Sequence, residues 1–479
     1  MRNQEPERLR TERDGIGEID LPADAYYGIH TSRAVRNFPF SGYRLHPAFI
    51  RAFAQVKQAC AKTNALLGHL SGERGQAIMD ACAEIAGGAF HDQIVVDPFQ
   101  GGAGTSTNMN FNEVIAARAA ERLGGDRGDR ELVNPLRHVN MHQSTNDVFP
   151  TALRVAATDL LMELERAVAS LQESLQRKET EFRDVVKVGR TELTDAVPMT
   201  LGMSFGAFAE AVSRDRWRIF KCRERIKRVN LGGTAIGTGL GAPRDYVLAV
   251  AGNLAAITGL PVSRAENLLD ATQNADVFVE VSGMLKACAA NLLKIGSDLR
   301  LLSSGPAAGL GEITLPPIQA GSSIMAGKVN PVMPEAVTQA ALRVMGNDQT
   351  IALAAGLGQL ELNHLLPLIT HSLLESMTLL TASCLGLADN CVRGIEARPD
   401  RCRAHVEQSA ALATVLVPVL GYDAVEKLVA DARRNGTPIP AHMVEAGVAP
   451  ADTVERLFSP RQLCKLGFTP GEYEEVNTP

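Results

Sequence analysis

The stretch Asn274–Leu302 reads NADVFVEVSGMLKACAANLLKIGSDLRLL, and its apolar residues recur at steps of three and four. Such spacing places them on one stripe of a helix, because an α-helix turns about once every 3.6 residues. The stripe consists of Val277, Val281, Met284, Cys288, Leu292, Ile295, Leu299 and Leu302. This stretch therefore predicts one long helix with a single apolar face.

Similar long periodic runs flank this stretch on both sides. They occupy Asp147–Arg177, Met203–Arg228, Val332–Leu353 and Leu362–Leu387. Five such helices, with few strand signals elsewhere, predict an all-α fold around a long central helical bundle. We expect an N-terminal domain over residues 1–140, a central helical bundle domain over residues 141–395, and a small C-terminal helical domain over residues 396–479. The last domain contains a helical run over Asp400–Val417.

The composition of the 479 residues is that of an ordinary globular protein, with 45% hydrophobic and 21% charged residues. The net charge of −6 gives no electrostatic reason to expect nucleic acid or an anionic membrane as partner. The charged start and the short apolar runs, such as Ser409–Tyr422, lead us to expect a cytoplasmic protein without a membrane span. The eight cysteines form no CxxC pair and the ten histidines show no metal-ligand spacing, so we expect no metal and no cofactor.

Four loops between the helices are rich in Gly, Ser, Thr and Asn, and loops held on a rigid scaffold are where binding sites are commonly built. The first loop, Asp97–Glu113, reads DPFQGGAGTSTNMNFNE. Its Thr105, Ser106 and Thr107 offer hydroxyls and amides at the start of a predicted helix, which suits a carboxylate ligand. A capped helix start after a flexible turn is the alternative interpretation of this segment.

The second loop, His142–Asp147, reads HQSTND and leads into a predicted helix. One residue is enough to cap a helix, so the four consecutive small polar residues exceed what capping requires. The surplus favours ligand binding by Ser144, Thr145 and Asn146.

The third and fourth loops are Gly189–Pro198, GRTELTDAVP, and Gly321–Glu335, GSSIMAGKVNPVMPE. The third mixes charges of both signs with hydroxyls, and its alternative interpretation is a solvated connection between two helices. In the fourth, two glycines bracket a segment that could close over a substrate, with Lys328 as a positive charge and Asn330 as a neutral donor. A capped helix connection is the alternative here. No GxSxG motif surrounds either serine, which argues against a Ser-His-Asp hydrolase.

The fourth loop resembles the signature of the aspartase/fumarase superfamily, GSSxMPxKxN followed by a Glu. The motifs QGGAGTSTNMN, QSTND, GRTELTDAVPMTLG, NLGGTAIGTGL and GQLELN stand in the order expected for that superfamily. Within it, QSTND and GKVNPVMPE resemble the aspartate ammonia-lyase branch, whereas the fumarase branch usually has SSND and GKVNPTQCE. The resemblance covers nearly the whole chain.

This resemblance implies an all-α fold in which the central helices of four subunits form a twenty-helix core. The protein is therefore expected to be a homotetramer with shared active sites, each built from loops of three subunits. Apolar stripes such as that of Asn274–Leu302 are expected to be buried between the subunits. Such sharing accounts for four candidate loops that lie far apart in the sequence. The implied partner is a small-molecule carboxylate substrate.

The resemblance also implies a reaction, the elimination of ammonia from L-aspartate to give fumarate through an aci-carboxylate intermediate. Ser322 matches the base, and its alkoxide needs nearby positive charge and oriented donors because serine is a poor base at its ordinary pKa. Glu192 and Glu335 are further expected catalytic residues. The expected substrate-binding residues are Thr105, Ser106, Thr107, Ser144, Thr145, Asn146, Thr191, Ser323, Met325, Lys328 and Asn330.

Three residues depart from the superfamily pattern. Ala326 replaces the usual Pro of the MP pair, and His142 stands where Ser is common before QSTND. Glu192 stands where His or Gln is usual, near the distal carboxylate of the substrate, with Glu335 expected behind it. Two neighbouring carboxylates cannot easily both ionise, so one pKa of that pair is expected to rise. Glu192 would then be protonated, pair with Arg190 or His142, or face a cationic group of the substrate.

Other functions stay open at this level. A substrate with a cationic or substituted amino group would make the protein a related, ergothionase-like lyase. Fumarate hydratase needs the same carbanion stabilisation but expels water. A non-enzymatic structural relative is the third alternative, and the retention of Ser322, Lys328 and Asn330 argues against it.

Overall fold

Helices make up most of the structure, a computed structural model that describes residues 8–469 and Gly471. In chain order the α-helices are α1 (Ile29–Asn37), α2 (Pro47–Leu66), α3 (Gly72–Ala86), α4 (Thr105–Arg122), α5 (Thr145–Glu181), α6 (Leu201–Ile226), α7 (Arg244–Thr258), α8 (Leu268–Gln273), α9 (Asp276–Leu302), α10 (Val332–Gly356), α11 (Leu366–Asn390), α12 (Pro399–Gln408), α13 (Val417–Leu420), α14 (Tyr422–Asn435), α15 (Ile439–Glu445), α16 (Ala451–Leu457) and α17 (Pro460–Leu463). The prediction of an all-α fold with long helices in the middle of the chain is confirmed, with helix ends shifted by a few residues.

The apolar stripe predicted for α9 lies largely in the interior. Val281, Cys288, Leu292, Ile295 and Leu299 are all buried. The other three residues of the stripe are partly buried, so the helical spacing identified the buried face. The expectation that this stripe is buried between subunits is wrong for most of it, because five of its eight residues are buried within the single chain.

The strands are short and form four two-stranded sheets within the described residues. They are β1 (Leu9–Asp14), β2 (Gly17–Pro22), β3 (Val186–Thr191), β4 (Thr194–Thr200), β5 (Arg228–Val229), β6 (Ser263–Arg264), β7 (Ile313–Thr314) and β8 (Glu396–Ala397). β1 pairs antiparallel with β2, β3 with β4 and β7 with β8, whereas β5 and β6 are parallel.

The third candidate loop is a β-hairpin, so its interpretation as a plain connection between helices is wrong. β3 and β4 are joined by Glu192 and Leu193, with φ angles of 55° and 63°. Two successive positive φ angles are the geometry of a type I′ turn, which matches the twist of a hairpin. Asn and Gly are the usual residues there, and their absence hid the hairpin from the sequence.

The chain divides into two compact units of discontinuous segments. The first contains the chain up to Arg166 with Asp215–Ala290 and Ala340–Ala382, and the second contains Ala167–Arg214, Asn291–Gln339 and the chain from Ser383 onward. The three predicted domains are continuous ranges of residues, and their boundaries stay a prediction.

Each unit has its own aromatic and aliphatic core. In the first, the ring of Phe53 lies 4.4 Å from that of Phe111, and the ring of Phe49 lies 4.9 Å from that of Phe149. In the second, the rings of Phe182 and Phe205 lie 5.3 Å apart. The C-terminal helices of the second unit pack around a separate cluster that includes Leu416, Leu428, Met443 and Leu457.

The helical run predicted over Asp400–Val417 is broken at Ser409. α12 ends at Gln408, and a 3-10 helix covers Ala410–Leu416. Ser409 has extended backbone angles, and its hydroxyl accepts a hydrogen bond from the amide of Ala411. A serine with this geometry begins a new helix, because its oxygen satisfies an amide that the preceding turn cannot.

By length and composition, Leu366–Gly394 is the one helix among the described residues that could cross a membrane. Core helices of globular proteins have the same length and composition, and 56% of the most apolar stretch of this helix is buried. The buried Ile369, Leu373, Met377 and Leu380 recur at helical spacing, as expected of a helix in a protein core.

Candidate active site

The serine loop, Gly321–Asn330, holds the hydroxyl of Ser322 in a specific environment. Its Oγ accepts hydrogen bonds from the backbone amides of Ile324 at 3.2 Å and Met325 at 2.9 Å. Two fixed amide donors would stabilise negative charge on that oxygen. The geometry therefore favours a serine that can lose its proton.

The two ends of the serine loop are held together by Asn330. Its side-chain amide donates to the carbonyl of Gly321 at 2.8 Å. A Cβ atom at residue 321 would lie 2.2 Å from the carbonyl oxygen of Lys328, so only glycine fits. The loop is thus a closed structure with a backbone contact at its neck.

The crown of the serine loop projects into solvent. Ser323, Met325 and Lys328 are exposed, and Ile324 is 89% exposed. Exposed apolar residues beside a lysine suit a segment that folds over a bound ligand. Glu335, at the start of α10, lies 3.9 Å from Arg300.

The first loop ends in the N-terminus of α4. Gly104 precedes the helix with a φ of 96°, and a Cβ atom there would lie 2.3 Å from the ring of Phe149. The core thus brings this glycine against an aromatic ring. Thr105 is exposed in the first turn, and its hydroxyl donates to the carbonyl of Gly102.

Thr107 differs from the two residues before it. It is fully buried, and both its amide and its hydroxyl donate to the side chain of Gln100, at 2.8 and 3.0 Å. These contacts give Thr107 a part in holding the loop. Thr105 and Ser106 keep backbone amides at the helix start, where a carboxylate is favoured.

The second loop forms a capping box at the start of α5. The hydroxyl of Ser144 accepts from the amide of Asn146, and the carboxylate of Asp147 accepts from the amide of Ser144. Asp147 also accepts from the amides of Gly232 and Thr234, both at 3.1 Å. One carboxylate therefore fastens the second loop to the NLGGTAIGTGL segment.

Further contacts fasten the second loop to other segments of the first unit. The side-chain amide of Asn108 donates to the hydroxyl of Thr145 at 3.0 Å, and that of Asn146 donates to the carbonyl of Ala235. The surplus of polar residues that favoured ligand binding is thus used partly for fastening. Ser144 and Asn146 remain partly exposed.

A buried lysine lies beneath the second loop, and sequence reasoning missed it. Lys57 on α2 is fully buried and donates to the side chains of Asn140 and Gln143 at 3.0 and 2.9 Å. Burial lowers the pKa of Lys57 to about 8 and raises the pKa of Asp147 to about 7. Its place in an apolar helix, in the run AQVKQACA, was the available signal.

The hairpin tip presents Thr191, Glu192 and Leu193 to solvent. Arg190 does not serve Glu192, because its guanidinium donates to the buried carboxylate of Glu312 at 2.8 Å. His142 contacts Asn64 at 2.7 Å through Nδ1, and burial together with nearby His69 lowers the pKa of His142. The two cations proposed as partners of Glu192, Arg190 and His142, thus contact other residues within the subunit.

The structure brings some of the predicted site residues together and leaves others apart. Thr145 of the second loop contacts Asn108, which follows the first loop's hydroxyls on α4. In the second unit, no hydrogen bond or ion pair among the described residues joins Thr191 or Glu192 to the serine loop. The expected pairing of Glu192 with Glu335 stays a prediction, because it concerns an assembly of subunits.

No group of three or more His, Cys, Asp or Glu side chains in residues 8–469 is arranged to hold a metal ion. Seven of the eight cysteine side chains are buried. The four candidate loops offer hydroxyls, amides, carboxylates and a lysine.

Two family profiles match the chain. The profile described as lyase matches residues 17–346, and the profile described as the fumarase C C-terminus matches residues 412–465. The matched ranges include all four candidate loops and most of the C-terminal helices.

Characterised relatives and a solved structure are similar over most of the chain. An aspartate ammonia-lyase of Bacillus subtilis is 46% identical, covering 97% of this chain and 98% of that protein. An aspartate ammonia-lyase of Pseudomonas aeruginosa is 49% identical, covering 89% of this chain and 91% of that protein. The crystal structure of a fumarate lyase:delta crystallin from Brucella melitensis, bound to cobalt, is 46% identical with a TM-score of 0.92, covering 96% of this chain and all of that one. Motifs, fold and relatives agree, and the chain belongs to the aspartase/fumarase superfamily of lyases.

Proposed function

We propose that this protein is an aspartate ammonia-lyase, which converts L-aspartate to fumarate and ammonia. The proposal rests chiefly on relatives of that name, at 42–49% identity over nearly the full chain. The serine loop supports it, because a hydroxyl held by two amides is suited to removing a proton beside a carboxylate.

In the proposed reaction Ser322 takes the proton from carbon 3 of aspartate. The electron pair of that C–H bond is delocalised into the adjacent carboxylate as an aci-carboxylate. The pair then forms the carbon–carbon double bond as the C–N bond breaks and ammonia leaves. The amides of Ile324 and Met325 reduce the cost of ionising Ser322 before the proton is taken.

The remaining site residues are proposed to bind the two carboxylates. Lys328 and Asn330 supply a charge and a donor on the serine loop, and Thr105, Ser144, Thr145 and Thr191 supply hydroxyls. Fixed donors of this kind stabilise the charge that grows on the substrate in the transition state. Asn330 can keep its contact with Gly321, because its side-chain amide has a second N–H to donate.

A complete site is proposed to form only in a cytoplasmic homotetramer with shared active sites. Large apolar side chains are exposed on the long helices of the single chain, among them Trp217 at 63% and Leu353 at 59%. Exposed apolar side chains of this size are typical of surfaces that pack against another subunit. Such an arrangement would bring together the hairpin tip and the serine loop, which share no hydrogen bond or ion pair among the described residues of one chain.

The proposal is tested by incubating the purified protein with L-aspartate and, separately, with L-malate. We expect ammonia and fumarate in equal amounts from aspartate and negligible fumarate from malate. Fumarate from malate without ammonia release from aspartate would replace the proposal with fumarate hydratase. Activity on neither, but amine release from a cationic amino acid, would support the related-lyase alternative.

A further inference from the structure

A buried carboxylate stands at the base of the hairpin that carries Thr191 and Glu192. Glu312 has no solvent exposure, and its Oε1 accepts from Nη1 of Arg190 at 2.8 Å. Its Oε2 lies 3.2 Å from Nζ of Lys187, which itself donates to the carbonyl of Val188. Both basic residues belong to β3, so one carboxylate holds the strand at two points.

An irregularity of the hairpin allows this double contact. Residues three apart on a regular strand point to opposite faces of the sheet. The register of β3 and β4 shifts between Val188 and Arg190, and a Cβ atom on Gly189 would lie 2.7 Å from the carbonyl oxygen of Val197. This bulge directs Lys187 and Arg190 to the same acidic group.

Glu312 also belongs to the segment that leads into the serine loop. β7 follows Glu312 directly. The backbone carbonyl of Glu312 accepts from the amide of Arg398 at 2.9 Å. Nδ1 of His405 on α12 lies 3.2 Å from Oε1. The carboxylate therefore connects the hairpin, the strand before Ser322 and the C-terminal helices of the same unit.

The charges in this cluster make Glu312 necessary to its geometry. Lys187 and Arg190 are both largely buried, and without the carboxylate they would repel each other in a poorly solvated site. We propose that Glu312 is a positioning residue, which fixes the hairpin that carries Thr191 and Glu192 to the body of its own subunit and so sets where that tip meets the substrate. This inference rests on the proposed function, in which that tip faces the distal carboxylate of the substrate.

The first test replaces Glu312 by Gln, with Asp348→Asn as the matched control. Asp348 is likewise a buried carboxylate, accepting from Ser282 and Lys286, but it lies on α10 outside the four candidate loops. Glu312→Gln is expected to raise KM for aspartate and the dissociation constant of succinate by about tenfold, since displacements of about 1 Å can cost ~100-fold. We expect kcat to change less, and both constants to stay unchanged in Asp348→Asn.

Arg190→Gln is the second variant, because Glu312→Gln leaves two buried cations without their counter-charge and could unfold the hairpin. In Arg190→Gln the carboxylate still faces Lys187, so the fold is expected to survive while the tip loses its restraint. Weaker succinate binding in this folded variant supports the inference. Binding and KM equal to wild type in Arg190→Gln and in folded Glu312→Gln would overturn it.

Succinate binding by calorimetry separates this inference from the proposed function. A wild type that binds succinate but releases no ammonia from aspartate would refute the proposed function. The positioning role of Glu312 would then still be decided by the two variants, because binding of a dicarboxylate does not require turnover.

Discussion

Ser322 receives two backbone amide donors before any substrate is present, so part of the stabilisation of its alkoxide is built into the loop. The sequence predicted this residue through the GSSIMAGKVN motif. The sequence could not predict which groups would contact its oxygen, since the turn that directs the amides of Ile324 and Met325 depends on backbone angles. The sequence motif thus identified the residue, and the fold identified the groups that contact its oxygen.

Glu192 is one of the three residues at which this chain departs from the superfamily pattern, and its substitution by Gln discriminates between substrates. For an aspartase, Glu192→Gln keeps hydrogen-bonding capacity and removes a negative charge that opposes the substrate's own. Activity on aspartate is then expected to persist or improve. The measurement is kcat/KM for aspartate in both forms.

The alternative outcome for Glu192 is equally specific. If this carboxylate recognises a cationic substrate, Glu192→Gln removes a charge-assisted contact of roughly 1.5–3 kcal/mol, and the true substrate loses about tenfold or more in kcat/KM. Aspartate turnover would be poor in both forms. Robust aspartate turnover by wild type would contradict the hypothesis of a cationic substrate.

Several residues that shape the site could not be identified from the sequence. Asn108, Lys57 and Glu312 act through partners distant along the chain, and no local motif records those contacts. Asp147 was visible as a helix cap, but its hold on Gly232 and Thr234 was not. Local patterns predict caps and turns, whereas long-range hydrogen bonds require the fold.

At the scale of elements, the hairpin of β3 and β4 is a structure that the sequence pattern did not indicate. A turn with positive φ at both Glu192 and Leu193 has no glycine or asparagine to announce it. Non-glycine residues in that region of φ carry strain, so the flanking strands must impose the turn. The long helices were predicted well because their apolar spacing persists over many turns.

Gly321 at the neck of the serine loop gives a prediction at this scale. Gly321→Ala places a Cβ against the carbonyl oxygen of Lys328, so the loop must open or shift. We expect kcat/KM for aspartate to fall by about 100-fold, since small displacements of reacting groups are costly. The melting temperature should change little because the loop is exposed. Wild-type kinetics in Gly321→Ala would show that the neck contact is dispensable.

Asp147, which fastens the second loop to the NLGGTAIGTGL segment, gives a prediction for pH. Its pKa is about 7 in the fold against an ordinary value of 3.8, so the folded state holds a proton between about pH 4 and 7 that the unfolded state releases. Lys57 stays protonated across that window, since its pKa is about 8. The contribution of Asp147 to stability therefore falls as pH rises from about 4 to 7, by at most ~1.4 kcal/mol per unit.

The check on Asp147 is the melting temperature of wild type and Asp147→Asn over that pH range. We expect the variant to be less stable overall, since the Asn side chain has one acceptor oxygen where the carboxylate has two, but to lack this part of the pH dependence. Parallel curves for the two proteins would contradict the assignment.

At the scale of the whole molecule, oligomerisation is the main prediction. The exposed Trp217 and Leu353 on long helices are expected to be buried between subunits of a homotetramer. Sedimentation equilibrium at assay concentrations measures the mass directly. A stable monomer with full activity would contradict both the tetramer and the proposal that loops from several subunits complete each site.

The fold class and the superfamily were predictable from the sequence, because ordered motifs and helical periodicity extend along most of the chain. The way in which the loops meet was not predictable, since no hydrogen bond or ion pair among the described residues of one chain joins Thr191 or Glu192 to the serine loop. Proximity between subunits leaves no local pattern in a single sequence. The sequence therefore indicates which loops belong to the site but not which subunit supplies each of them.

The most direct measurement of the central claim follows the reverse reaction in D₂O. Wild type and Ser322→Ala are incubated with fumarate and ammonium, and the products are identified by NMR and mass spectrometry. We predict that wild type forms aspartate carrying one carbon-bound deuterium, at carbon 3, and that folded Ser322→Ala forms none. Malate as the sole product of wild type would contradict the aspartase assignment, and deuterated aspartate from Ser322→Ala at the wild-type rate would contradict the role of Ser322 as base.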